Sequence, residues 1–328
     1  MDPLVREEPW PVIDLHRHLE GCLRPQTMVE LAQEAGLESP PGGWEHATRV
    51  AGAAGGLLPY LGRLDLAVRV LHNLKAVRRL AREAVEDAAG DGVEYLELRF
   101  SPAYIGRAHG LDTDAVVAAV RDGVSAAKSQ TGIEVALLGI LSRTYGPQAC
   151  MAELAALLEQ VQGLVGLDLA GDEAGHPCDL FIPHFRRAAA AGLRLTAHAG
   201  EGAGPESVWD AISHLGAERI GHGTRSIEDP TLVRHLADRQ IALDMCLTSN
   251  VQTSTVGRLS DHPAAALLQA GVRVTLNTDN PSISGVTLSS EFAFAAPRAG
   301  LTPALLRQAR LNAAAAAFAL PLGVPGAG

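Results

Sequence analysis

Residues 193–204 read LRLTAHAGEGAG. Leu193, Leu195 and Ala197 alternate with Arg194, Thr196 and His198, the period of two expected of a short strand, and the glycines at 200, 202 and 204 bring it to an end. His198 therefore stands at a strand end and Glu201 on the loop that follows. An imidazole and a carboxylate so placed converge on one small volume, one suited to a metal ion and the other to passing a proton.

Outward from this stretch, short apolar runs recur, each followed by a longer Ala/Leu/Arg-rich segment with helical spacing, the mark of repeated strand-helix units around a parallel sheet. The expected strands are Val12–Leu15, Val93–Phe100, Glu134–Leu141, Leu164–Ala170, Leu193–Ala197, Arg219–Gly221, Ile241–Cys246 and Val272–Leu276. Eight units predict an α/β fold, a (β/α)8 TIM barrel with its active site at the C-terminal ends of the strands. An open doubly wound sheet is the alternative, but no Gly-x-Gly-x-x-Gly follows the first strand. Pro25 and Gly36 bracket a helix over Gln26 to Ala35. Between it and the second strand lies an insertion of about fifty residues, longer than an ordinary connection, so extra helices are expected after the first strand. Its middle, LLPYLGRLDLAVRVL, sets Leu58, Leu61 and Leu64 on one helical stripe with Tyr60 beside it. That stripe reads either as a helix packed on the barrel or as an apolar lid over the site. Thr302 and Pro303 open a last, Ala-rich helix. With no internal repeat or linker, residues 1–328 are expected to form a single barrel domain, frayed at 1–10 and 321–328.

Among the 328 residues, 47% are hydrophobic and 20% charged, with a formal net charge of -10. This balance argues against nucleic acid and against an anionic membrane as partners, since both need basic patches. The four cysteines are far apart and form no Cys-x-x-Cys pair, so they read as buried free thiols. The opening MDPLVREEPWP lacks an apolar core for export, and no run approaches the roughly 20 apolar residues of a membrane helix. A cytoplasmic protein whose partner is small or itself a protein is expected.

His16 and His18 follow the run Val12, Ile13, Leu15, and residues i and i+2 of a strand face the same side. With His198, and with Asp279 in TLNTDNP after the last strand, they make a nitrogen and oxygen donor set suited to one Zn²⁺ with a further position left for water. His222, in RIGHG, reads as a further ligand, as a partner of the bound water, or as a core histidine. The other eight histidines fall in helices or loops and read as structural. Zinc brings the pKa of its water to about 7. Hydrolysis then needs a group outside the ligand set to accept and return a proton, and Glu201 is placed for it.

The motifs DLHRHLEG, YLELRFSP, LDLAGDE, TAHAGE, ERIGHG, CLTSNVQTSTV and TLNTDNP, in that order, resemble the adenosine deaminase family from about Val12 to Phe318. The resemblance implies an amidohydrolase-type barrel, one zinc ion, and loss of the purine 6-amino group of adenosine or 2'-deoxyadenosine as ammonia after hydroxide adds to C6. Matched position by position, it implies that His16, His18, His198 and Asp279 bind zinc. Glu201 would protonate purine N1, and His222 would orient and support the attacking hydroxide. Gly171 would offer its backbone N–H to N3, and the segment around Tyr60 and Leu64 would gate the substrate. Two positions depart from the family pattern. Asn280 stands where a second Asp usually meets purine N7; since N7 is an acceptor, an amide can donate to it without first being protonated. Glu20, which would meet the sugar 5'-hydroxyl, stands where adenosine deaminases usually have Asp and adenine deaminases often have Glu. A related 6-aminopurine, either adenine or a 5'-extended adenosine such as aminodeoxyfutalosine, is the alternative substrate. A non-catalytic purine-binding barrel is disfavoured by the complete ligand set.

Overall fold

The structure is a computed structural model that describes residues 11–319, so both terminal segments expected to fray lie outside the described residues. Eight strands run in chain order around one sheet: β1 Ile13–His18, β2 Tyr95–Phe100, β3 Glu134–Ser142, β4 Gly166–Ala170, β5 Arg194–Ala199, β6 Arg219–His222, β7 Ala242–Met245 and β8 Arg273–Leu276. Each pairs in parallel with the next. This is the (β/α)8 order expected from the spacing.

β8 meets β1 through a single backbone bridge, Arg17 with Asp279, in which His18 N–H donates to Asp279 O and Asp279 N–H to His16 O, both at 2.8 Å. Side chains complete this seam. Leu15 N–H donates to Asn277 Oδ1 at 2.9 Å, and Thr278 Oγ1 and Arg17 Nε donate to Asp14 Oδ2 at 2.6 and 3.0 Å.

Alternation along the strands sorts the side chains. In β2, Leu96, Leu98 and Phe100 belong to the apolar core, whereas Glu97 and Arg99 point across the barrel. The interior is thus ionic: Arg99 pairs with Asp168 of β4 at 2.8 Å and Arg219 of β6 with Asp244 of β7 at 2.7 Å, all fully buried or nearly so. Charges removed from water need such partners.

Four helices lie between β1 and β2: α1 Pro25–Glu34, α2 Trp44–Thr48, α3 Leu57–Val68 and α4 Leu74–Gly90. The insertion is therefore helical, as expected, but the stripe on α3 is rotated from the sequence reading. Tyr60, Leu64, Ala67 and Val68 are its buried residues, and Leu58 is 57% exposed. The Tyr60 hydroxyl is hydrogen-bonded to Ser284 Oγ at 2.8 Å, which ties α3 to the loop after β8. β1 also differs from expectation in length, since it runs through His18 and carries both histidines inside the strand. Among the described residues no helix is long and apolar enough to cross a membrane, and all four cysteines are buried and free.

Candidate active site

A cavity of about 700 Å³ opens at the C-terminal ends of the strands, roofed by α3. His18, Glu20, Tyr60, Leu64, Gly171, His198, Glu201, His222, Asp279 and Asn280 all line it, and His16 lies buried behind them. Every residue singled out in the sequence thus falls in one region.

At its floor His18 Nε2 is 3.2 Å from His16 Nε2 and 3.1 Å from His198 Nε2. Asp279 Oδ1 is 3.6 Å from His16 Nε2 and 3.3 Å from His18 Nε2. Ligands about 2.05 Å from a tetrahedral zinc stand about 3.3 Å from one another, so these spacings fit one ion. The donors come from β1, β5 and the turn after β8, and the backbone bridge between Arg17 and Asp279 sets the carboxylate beside the two β1 histidines. Burial, with the charge of Arg99 and the neighbouring histidines, holds His16 well below its usual pKa, and the same causes act on His18. Both rings are therefore neutral, the form that ligates.

Partners behind the donors aim them. His198 Nδ1 is 3.1 Å from Asp168 Oδ2, so its N–H is engaged there and Nε2 is left for the ion. Burial opposes ionisation of Asp168, but its interaction with the His198 ring and the charge of Arg99 outweigh it and keep this carboxyl well below its usual range. Ser249 Oγ donates to Asp279 Oδ2. Asp279 and His222 both adopt left-handed backbone, φ 62° and 61°. For a non-glycine residue that conformation costs on the order of 1–3 kcal/mol, and at strand ends it accompanies side chains turned into the mouth.

Glu201 is 7% exposed, and its Oε2 is 3.5 Å from His222 Nε2. Burial first, then the carboxylates of Asp279 and Glu173, push its pKa well above the usual value, so it holds a proton. Its loop is fixed by Glu173, whose carboxylate accepts the backbone N–H groups of Gly200, Glu201 and Gly202 at 2.7, 3.1 and 2.6 Å. Gly171 has φ 114°, and a Cβ there would fall 2.5 Å from Thr144 Oγ1, so only glycine fits this edge of the cavity.

On the other flank Glu20 Oε1 accepts the N–H of Ser101 at 2.6 Å, while Oε2 is buried without a partner. Burial raises its pKa to about 8. Asn280 Oδ1 is likewise buried and unpartnered. A Cβ on Gly21 would lie 2.2 Å from that oxygen, so glycine in HLEG lets Asn280 settle against the turn.

Asp168, Glu173, Ser249 and Asn250 were not singled out from the sequence. Asp168 did leave a signal, a carboxylate between Leu167 and Leu169 in an apolar strand, where burial demands a partner.

The sequence profile of the family described as adenosine deaminase matches residues 11–321. An adenosine deaminase of Serratia proteamaculans is 49% identical over 311 residues, 94% of each chain. The crystal structure of an adenine deaminase from Arthrobacter aurescens superposes with a TM-score of 0.88 at 28% identity, covering 95% of this chain and 94% of that one. An amidohydrolase of Burkholderia ambifaria, solved with bound Zn, has a TM-score of 0.86 at 28% identity and covers 95% of this chain and 86% of its own.

Proposed function

Since this chain belongs to the adenosine deaminase family and is a hydrolytic deaminase, we propose that its barrel mouth converts adenosine and 2'-deoxyadenosine to inosine and deoxyinosine with release of ammonia, using one zinc ion. The observation that carries this is the convergence of His16, His18, His198 and Asp279 at the floor of the cavity, with the buried carboxyl of Glu201 beside them. Three neutral imidazoles and one carboxylate would hold the ion. Zinc in such a site supplies hydroxide at neutral pH from a water whose pKa falls to about 7.

The chain's own groups supply the rest. Glu201 gives its proton to purine N1, which draws electrons from C6. His222 holds the attacking oxygen in line with C6. The Gly171 N–H meets N3, the Asn280 amide donates to N7, and the unpaired Oε2 of Glu20 takes the 5'-hydroxyl. Tyr60 and Leu64 on α3 cover the base and exclude water, which strengthens each of these contacts.

The test is turnover of a panel of 6-aminopurines, with and without a 5' substituent, on protein of measured zinc content. Adenosine should give inosine, seen as the ultraviolet shift, and chelation should stop it until metal is restored. Undiminished turnover by metal-free protein, or strong preference for adenine, would sink this assignment.

A further inference from the structure

Away from the metal donors, a file of buried polar side chains runs from His222 into the protein. His222 Nδ1 lies 3.0 Å from Asn250 Nδ2. Asn250 Oδ1 accepts from Thr224 Oγ1 at 3.1 Å and lies 3.1 Å from His262 Nε2. His262 Nδ1 accepts the backbone N–H of Ala264 at 3.2 Å. None of these four side chains belongs to a residue more than 5% exposed.

The direction of the whole file follows from its far end. A backbone amide can only donate, so His262 Nδ1 is bare. Burial drives the pKa of His262 down to about 3, so the ring is neutral and carries its one N–H on Nε2. That N–H donates to Asn250 Oδ1. The carboxamide cannot turn over, because its NH₂ would then face the His262 N–H while Thr224 lost its acceptor. Asn250 Nδ2 therefore donates to His222 Nδ1, and the hydrogen of His222 is left on Nε2, the atom that faces Glu201 and the cavity.

We propose that Asn250 and His262 are positioning residues that hold His222 in its Nε2–H tautomer. A ring so held has no lone pair toward the cavity. It cannot take a proton from water; it donates a hydrogen bond to the attacking oxygen, and the proton that water gives up goes to the Glu201 carboxylate left when Glu201 has passed its own proton to purine N1. This consequence rests on the deaminase reading above, whereas the tautomer itself does not.

The experiment is ¹⁵N NMR of zinc-loaded protein labelled at histidine, with the His222 signals identified by their loss in His222→Gln. The expected result is a bare Nδ1 and a protonated Nε2 at His222; a proton on Nδ1 overturns the proposal whether or not the protein turns over adenosine. Asn250→Asp sets an acceptor against Nδ1 and should move the hydrogen there, with zinc still bound, KM little changed and kcat down on the order of 10²–10⁴-fold, as for other wrong-tautomer histidines. His262→Leu should give a mixture of tautomers and a smaller loss. His262→Gln, which still offers an N–H to Asn250 Oδ1, should restore most of it. An Asn250→Asp protein with an unmoved His222 signal and normal kcat would refute the assignment.

Discussion

At Glu201 burial and two nearby carboxylates act in one direction and keep the proton on the side chain. Glu201→Gln preserves shape and removes that proton relay; kcat should fall by about 10²–10⁴-fold while metal analysis gives the same zinc content. At Asn280 the contrast is between donor and acceptor. Asn280→Asp should lower kcat/KM for adenosine on the order of tenfold and make it fall further as pH rises, since a carboxyl can meet N7 only while it keeps its proton. A rate profile of the variant beside the parent checks this. His262 carries a stability prediction. Its native pKa of about 3 lies below the ordinary 6.5, so between those values the unfolded chain binds a proton that the native chain does not. Stability is thus lost as pH falls below about 6.5, at roughly 1.4 kcal/mol per unit, until the native group titrates. Denaturant unfolding of His262→Gln should show a shallower loss over that window than the parent. His198 and Glu201 were legible because a strand period and three glycines announce them. Asn250 and His262 were not, since hydrogen bonds between residues 12 and 28 positions apart leave no periodic trace.

Among the elements, α3 is where sequence and structure part by a rotation. The apolar positions of LLPYLGRLDLAVRVL are numerous enough to offer more than one stripe, and the period alone favoured Leu58, Leu61 and Leu64. The fold instead sends Tyr60, Leu64, Ala67 and Val68 to the core, and leaves Leu58 at the cavity mouth. A helix with apolar residues on both sides suits an element that has a core beneath one flank and a substrate beneath the other. Its fastening to the loop after β8 is the Tyr60 to Ser284 hydrogen bond. Tyr60→Phe leaves the Ser284 hydroxyl without that partner and should cost about 1 kcal/mol of stability. KM for adenosine should rise more than kcat falls, because the roof loosens while the floor is untouched; a kcat loss with unchanged KM would place Tyr60 in the chemistry instead. β1 shows a smaller departure. Its register shift between Asp14 and Arg17 accompanies a strand that continues through both histidines, which a reading of apolar residues alone ends at Leu15.

Across the whole molecule, the strand order and the barrel were legible from the regular return of apolar runs, but the residues that close the barrel were not. The seam between β8 and β1 rests on Asp14, Asn277 and Thr278, polar residues that resemble ordinary strand-end punctuation in the sequence. The proposed ion spans that seam, with His16 and His18 on one side and Asp279 on the other. Removing metal should therefore lower the thermal midpoint, with up to about 4 kcal/mol of stabilisation lost from a state held a thousandfold above the metal's Kd. Amide hydrogen exchange should rise most in β1 and β8; uniform exchange across the eight strands would mean that the ion does not bind the two edges together. The same seam bears on biosynthesis. Arg17 and Thr278, its two sides, are 261 positions apart, so at ordinary translation rates on the order of tens of seconds separate their emergence from the ribosome. Throughout that interval the first two imidazoles are displayed on a nascent edge with no carboxylate to join them, and a chain interrupted before its eighth strand has neither a closed barrel nor a complete seat for the ion.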